Sequence, residues 1–250
     1  NTDVSDLSPL AGASLTVLGM QQIPIESLGP FLTKPAQSVF LFGDSGGPHL
    51  QTPADFDRAE ALLREAIQTW QGEAEYARWH RQARIRLAML QFMRGKREIP
   101  HPQKSAEALM QQAKDTLQSM ARTSPVDGAR YLEIYYDCDW DTARELAHAL
   151  GGELAQIETP ELNDWLAASF SEAGGYFWLG GTRVGRKAFE WLDGEPVSFH
   201  HFPKKMLGYS AFHIHQTNVA LAWDIQSHWG VPKQDNVANG FLIRWPDQPE

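Results

Sequence analysis

An α+β fold is the class this sequence predicts, and three observations carry it. Residues 139–170 contain two capped, amphipathic helical patterns. Aromatic runs at 177–181, 189–199 and 241–245 read as strands entering or leaving turns. Between the N-terminal segment and these elements, residues 53–124 read as helix almost throughout, with apolar positions at three- and four-residue spacing.

Taken in order, the first fifty residues repeat themselves. Val4, Leu7, Pro9 and Leu10 recur as Ile25, Leu28, Pro30 and Phe31, an offset of 21. Residues 15–18 read as a strand after the first copy, and residues 38–42 as its successor. A capping-box-like start, Thr52-Pro53-Ala54-Asp55, then opens a helix with Phe56, Ala59, Leu63, Ile67 and Trp70 along one face. A second helix carries Tyr76, Trp79, Ala83, Leu87 and Leu90, and Gly95 is expected to stop it, with Lys96 and Arg97 near its negative end. Its arginines, Arg78, Arg81, Arg84 and Arg86, read either as an interaction face or as a solvated surface balanced by Glu73 and Glu75; the solvated reading is preferred. A third helix runs from Ser105 with Leu109, Ala113, Leu117 and Met120 inward.

The boundary with the second half is expected within residues 123–128. Asp139 then caps a helix with Ala143, Leu146, Ala147 and Leu150 on one face, ended by Gly151-Gly152. A strand is predicted over 154–157. Thr159 caps a further helix with Pro160 at its first position and Leu162, Trp165, Leu166 and Phe170 on the buried side. Phe177-Trp178-Leu179-Gly180-Gly181, Phe189-Glu190-Trp191-Leu192-Asp193-Gly194-Glu195-Pro196 with Phe199, and Phe241-Leu242-Ile243-Arg244-Trp245 complete the set.

In that order these pieces resemble a C-type lectin-like domain: two helices, a Trp-Ile-Gly-Leu-like core strand, a Trp-x-Asp-Gly strand and turn, and a closing strand. The resemblance covers about half the chain, over roughly 115 residues, a usual domain size. The 21-residue repeat resembles leucine-rich repeats, whose periods of 20 to 29 residues include it. The expected organisation is a leucine-rich-repeat-like segment at 1–50, a helical region at 53–124 and a C-type lectin-like domain at 128–250. Two cysteines join the first helix to the last strand in many members of the lectin-like family. The matching positions here are Ala147 and Ile243, so the resemblance implies apolar packing in place of that bond, as in a bacterial member or a reducing compartment.

Composition sets limits. The chain has 250 residues, 42% hydrophobic and 11% aromatic, enough for two or three globular units. The net charge of −9 is uneven: residues 1–50 carry one base and four acids, 51–124 twelve bases and nine acids, and 125–250 nine bases and eighteen acids. Nucleic acid is therefore not expected as a partner of the second half, which would repel phosphates. No apolar run approaches the ~20 residues that span a bilayer, and no charged-then-apolar leader is present. The first residues read as the middle of a repeat, so a fragment of a longer protein is expected. The single cysteine, Cys138, excludes an internal disulfide.

Several motifs invite chemistry. Gly43-Asp44-Ser45-Gly46-Gly47-Pro48 reproduces the sequence around the nucleophile of trypsin-like serine proteases. That mechanism needs a histidine to take the serine proton and an acid to hold the histidine, both upstream in that family, yet the first histidine is His49. A glycine-rich turn explains the same letters. Calcium-dependent sugar binding in the lectin family uses a Glu-Pro-Asn or Gln-Pro-Asp loop and a Trp-Asn-Asp strand. Here residues 202–218 contain no acidic residue and the strand reads Trp229-Gly230-Val231, so the hard oxygen ligands of Ca²⁺ are missing. Glu195-Pro196 comes too early and reads as part of a turn. No cofactor is expected.

Histidines gather late in the chain: His200, His201, His213, His215 and His228. His213-x-His215 on an extended segment would point both imidazoles to one face, which leaves a metal-dependent enzyme as the alternative to binding. The preferred reading of these histidines is as polar loop residues. Lys204, Lys205, Tyr209, Phe212, His213, His215, Asp224, His228 and Trp229 together mix aromatic anchors with a few polar groups, which suits a ligand-contact surface. Trp223 and Trp229 also fit the core. The function expected is calcium-independent recognition, without catalysis, of a protein ligand more readily than a glycan. The resemblance implies an extracytoplasmic or cell-surface piece of a larger bacterial sensor or adhesion protein. No motif in the chain encodes a ligand or an oligomeric state.

Overall fold

Short parallel pairing at the N-terminal end follows the repeat read from the sequence. β1 (Val17–Gly19) and β2 (Ser38–Phe40) align Val17 with Ser38 and Gly19 with Phe40, an offset of 21 residues. The structure, a computed structural model, describes residues 17–19, 38–40, 50–170, 176–184, 188–198, 220–224, 229–230 and 238–246. The chain divides into two compact units, Asn1–Ser119 and Met120–Glu250.

In the first unit, α1 (Pro53–Trp70) starts as its sequence dictates. The Asp55 amide donates to Thr52 Oγ1 at 3.3 Å and the Thr52 amide donates to Asp55 Oδ2 at 2.9 Å, closing a capping box. The backbone donor at Thr52 holds the Asp55 carboxyl below its ordinary range. Phe56, Ala59, Leu62, Leu63, Ala66 and Trp70 form the buried face of α1 and pack with Ala83 and Leu90 of α2 (Ala77–Lys96). Tyr76 lies just before α2, in a 3-10 turn over Ala74–Tyr76.

Gly95 does not stop α2. The helix runs on to Lys96, and Gly95 is buried inside it because a Cβ there would lie 2.6 Å from the Ala106 carbonyl oxygen. Its role is close approach of the next helix, which a sequence shows with the same letter as a stop. The C-terminal half of α2 is also buried beyond the expected stripe, including Ile85, Met89, Phe92, Met93 and Arg94. Arg94 is only 1% exposed, and its Nη1 donates to Asp57 Oδ1 at 2.7 Å while its Nε donates to the Pro100 carbonyl at 3.1 Å. α3 (Ala106–Met120) begins where Ser105 Oγ accepts from the Ala108 amide at 3.2 Å, and Leu109, Ala113 and Leu117 are fully buried.

The second unit is built on a mixed sheet in the order β3-β4-β10-β6-β8-β9, with β5 added on β10 and β7 on β6. Its strands are β3 (Arg122–Thr123), β4 (Arg130–Cys138), β5 (Glu153–Leu154), β6 (Tyr176–Val184), β7 (Ala188–Trp191), β8 (Ala220–Asp224), β9 (Trp229–Gly230) and β10 (Ala238–Trp245). Among the described strands of this sheet, only β6 and β10 pair in parallel. Helices α4 (Trp140–Ala149) and α5 (Pro160–Ser169) start at the expected caps: Asp139 Oδ1 accepts from the Thr142 amide at 2.8 Å, and Thr159 Oγ1 from the Leu162 amide at 3.2 Å. Gly151, at φ 82°, ends α4. Together these elements make the protein α+β.

Two elements differ from expectation. The strand predicted over 154–157 contracts to Glu153–Leu154, which pairs with Ile243 and Arg244 of β10. The chain then crosses toward β6: the Ala155 amide donates to Leu242 O at 2.8 Å, and the Gly180 amide donates to Ala155 O at 2.9 Å. Ala155, Gln156 and Ile157 are therefore buried without being in a ladder. β4, a long strand between β3 and β10, has no counterpart in the sequence reading, because Tyr131 through Tyr136 are all buried and the polar alternation that marks a half-buried strand is lacking.

Candidate functional site

The scaffold of the candidate surface is β6, whose residues are shared among three neighbours. Phe177 and Trp178 pair with Gly240 and Phe241 of β10 and with Trp223 and Ala222 of β8. Farther along, Gly181 and Thr182 pair with Trp191 and Glu190 of β7. The ladder with β8 is interrupted between Trp178 and Thr182, where the register shifts.

This strand is tied to β4 and α4 by buried indoles. Trp178 Nε1 donates to the Cys138 carbonyl and Trp140 Nε1 to the Leu179 carbonyl, each at 2.8 Å. Trp245 Nε1 donates to Leu150 O at 3.4 Å, fixing the end of β10 to the end of α4. Tyr135 meets Phe177 edge to face, with centroids 5.4 Å apart. Ala147 and Ile243, the two positions expected to meet by apolar packing, are both fully buried. Tryptophan thus supplies both the apolar bulk and the polar ties of this region.

The turn after β7 shows what Glu195 and Pro196 do. The Trp191 amide donates to Glu195 O at 2.8 Å, the Gly194 amide donates to Trp191 O at 3.0 Å, and Glu190 bridges to Pro196. Gly194 sits at φ 89°, a conformation glycine adopts freely. Leu192 is left 37% exposed at the tip, one of two large apolar side chains in the open among the described residues, with Val126.

Of the residues expected to contact a ligand, Asp224 is the last of β8 and pairs with Tyr176, and Trp229 is the first of β9 and pairs with Trp223. The β8–β9 hairpin therefore holds Asp224 and Trp229 at the two ends of one short connection. Lys204, Lys205, Tyr209, Phe212, His213, His215 and His228 lie outside the described residues, as do His200, His201, Ser45 and the residues around it. The long segment that contains most of them starts after the β7 turn and ends at β8, and both β7 and β8 pair with β6.

Among the described residues of the second unit, Cys138, Tyr131 and Arg244 are placed for structure. Burial pushes the Cys138 thiol far above its ordinary value, an effect reinforced by Asp139 and Asp137, so it stays protonated and unreactive. Burial likewise raises Tyr131, whose hydroxyl donates to Asp127 Oδ2 at 2.6 Å. Arg244 Nη1 donates to Glu153 Oε1 at 2.7 Å, and its Nε lies 3.8 Å from Asp127 Oδ2. Burial opposes the charge on Arg244, but Tyr131, Glu153 and Asp127 outweigh it and raise its pKa. Among the described residues no group of three or more His, Cys, Asp or Glu side chains is placed to hold a metal ion. Nor is any described helix long and apolar enough to cross a membrane.

The sequence-based reading missed the aromatic pair Tyr135–Phe177 and the whole of β4, on which the site's scaffold leans. The signal available was composition alone: Tyr131, Leu132, Ile134, Tyr135 and Tyr136 are residues that favour strands.

No protein-family model matches the chain, and no curated protein sequence matches it. Solved structures similar to part of the chain include the mouse scavenger receptor C-type lectin carbohydrate-recognition domain, at 16% identity and TM-score 0.43, covering 51% of this chain and 96% of its own. The cow C-type carbohydrate-recognition domain of CD23 is 17% identical at TM-score 0.42, over 48% of this chain and 90% of its own. A calcium-independent type II antifreeze protein is 17% identical at TM-score 0.39, over 47% and 86%.

Proposed function

We propose that the second unit is a C-type lectin-like recognition module that binds its ligand without calcium and without catalysis. The observation that carries this reading is the pairing of β4 with β10, in which Arg130 aligns with Trp245 and both ends of the module meet. From that closed base, β6 carries β7 on one stretch and β8 on another, so a long segment is presented from a tryptophan-anchored sheet. The ligand-contact surface proposed is Lys204, Lys205, Tyr209, Phe212, His213, His215, Asp224, His228 and Trp229, with a protein ligand preferred to a glycan. Calcium independence rests on the residue types: the segment 202–218 has no carboxylate, and Gly230 follows Trp229 where an oxygen ligand would be needed. We also read β1 and β2 as strands of a leucine-rich-repeat-like segment, supported by parallel register at one repeat length.

The test is binding by the whole chain, screened on a glycan array and by capture of protein partners, followed by alanine replacement at Tyr209, Phe212, His213 and His215. The expected outcome is loss of the bound partner with an unchanged melting temperature. Binding that survives all four replacements places the surface elsewhere. Added calcium is expected to leave the melting temperature unchanged, and a calcium-dependent rise would refute the calcium-free reading.

A further inference from the structure

A second feature, in the first unit, is independent of ligand binding. His101 lies in the connection between α2 and α3 with its side chain only 9% exposed. Its Nδ1 accepts a hydrogen bond from the Gln103 amide at 3.0 Å. An imidazole nitrogen that accepts carries no proton, so the neutral ring bears its hydrogen on Nε2. That nitrogen lies 3.8 Å from Glu60 Oε2 on α1.

The carboxylate it faces is already engaged on its other oxygen. Glu60 Oε1 accepts from Arg64 Nη2 at 2.6 Å and from Gln91 Nε2 of α2 at 2.7 Å. Glu60 Oε2 has Arg94 Nη1 at 3.8 Å, the same separation as His101. Protonation at Nδ1 would turn that nitrogen into a donor facing another donor, and the Gln103 bond would be lost. The same proton would give the ring a charge beside Glu60. Glu60 favours this charged form. Arg94 and Arg64 oppose it, the first tempered by its pairing with Asp57. Lys104, in the same connection, is engaged with the Gln112 side chain.

We propose that His101 is a protonation-controlled latch: neutral, it holds the Gln103 amide and closes the α2–α3 connection; charged, it releases that amide and pairs with Glu60 on α1. The bond to Gln103 exists only in the neutral form, so the closed latch belongs to the higher pH and opens as pH falls. What opens is local. The Pro100 carbonyl stays held by Arg94, and the Ile99 amide still donates to Arg94 O at 3.0 Å, so the helices remain in place while residues 101–105 loosen.

Amide hydrogen exchange of the whole chain, corrected for the intrinsic pH dependence of exchange, reads the latch directly. On acidification from about pH 8 to about pH 5, protection of the Gln103 amide is expected to fall by roughly tenfold. His101→Asn keeps an acceptor near the Nδ1 position and cannot titrate, so its Gln103 protection is expected to stay constant. Constant protection in the unaltered protein, or an equal fall in His101→Asn, would overturn the proposal. Nitrogen-15 shifts of the His101 ring provide a check that needs no variant: at about pH 8 the proton must reside on Nε2. Finding it on Nδ1 would remove the basis of the latch.

Discussion

At the scale of single residues, close approach is what the structure enforces most strictly. A Cβ on Gly240 would lie 1.8 Å from the Ile134 carbonyl oxygen, inside the β4–β10 ladder. The atoms it would meet are all backbone of β4, which leaves nothing flexible to yield, so Gly240→Ala is expected to cost about 3 kcal/mol or more, measured by urea unfolding. Trp178→Phe keeps most of the buried ring but strips the Cys138 carbonyl of its donor. An unsatisfied buried group of this kind costs about 1–3 kcal/mol. Charge acts in the same way at Glu60. Burial pushes its carboxyl upward, but the donors Gln91 and Arg64 prevail and hold it below the ordinary value of 4.5. A depressed carboxylate contributes stability above its unfolded pKa, and that contribution is lost as pH falls through the folded one. Stability of the first unit should therefore drop on acidification below about 4.5, and Glu60→Gln should flatten that drop in denaturant melts run across the acid range.

For whole elements, helix starts and helix packing obey different rules. The start of α1 is local: Thr52 and Asp55 satisfy amides that the helix leaves open, so Thr52→Ala is expected to cost about 1 kcal/mol in thermal or chemical unfolding. The packing of α2 at Gly95 is not local. Alanine in place of Gly95 would gain about 1 kcal/mol of helix propensity. Against this, its Cβ would sit 2.6 Å from Ala106 O and 2.8 Å from Met110 Cγ, forcing α3 away from α2. The methionine end can move but the backbone carbonyl cannot, so Gly95→Ala is expected to be net destabilising despite its helical position. The caps of α1, α4 and α5 were legible in the sequence because each depends on residues three positions apart. The role of Gly95 was not, because it is set by the distance to another helix. β5 shortened for the same kind of reason: residues 155–157 are apolar enough to be a strand, but the chain crosses between β10 and β6 there.

Across the molecule, the two units set how the chain can be cut. The second begins at Met120, and β3 (Arg122–Thr123) pairs with Tyr131 and Arg130 of β4. Arg122 also holds the Ser169 carbonyl at the end of α5. Chains starting at Met120 are expected to unfold cooperatively. Chains starting at Gly128 lose β3 and the Asp127 partner of Tyr131, and a lower midpoint in guanidinium is the expected result. Ligand binding, if it belongs to the long segment after β7, should persist in the chain that starts at Met120. The uneven charge noted in the sequence acts at this scale too: residues 125–250 carry nine bases against eighteen acids.

Local chemistry in the sequence determined the capped helices, the tryptophan-bearing strands β6, β7 and β10, and the 21-residue step between β1 and β2. Each of these is written in neighbouring residues, through capping geometry, periodicity or repetition. The tertiary structure alone decided that β4 lies between β3 and β10 and is buried on both faces, that β6 runs parallel to β10, and that Gly95 and Gly240 are sites of close approach. Those features depend on which distant segments meet. Burial on both faces erases the alternation from which a strand is read, and a glycine that admits a neighbour carries the same letter as one that ends a helix.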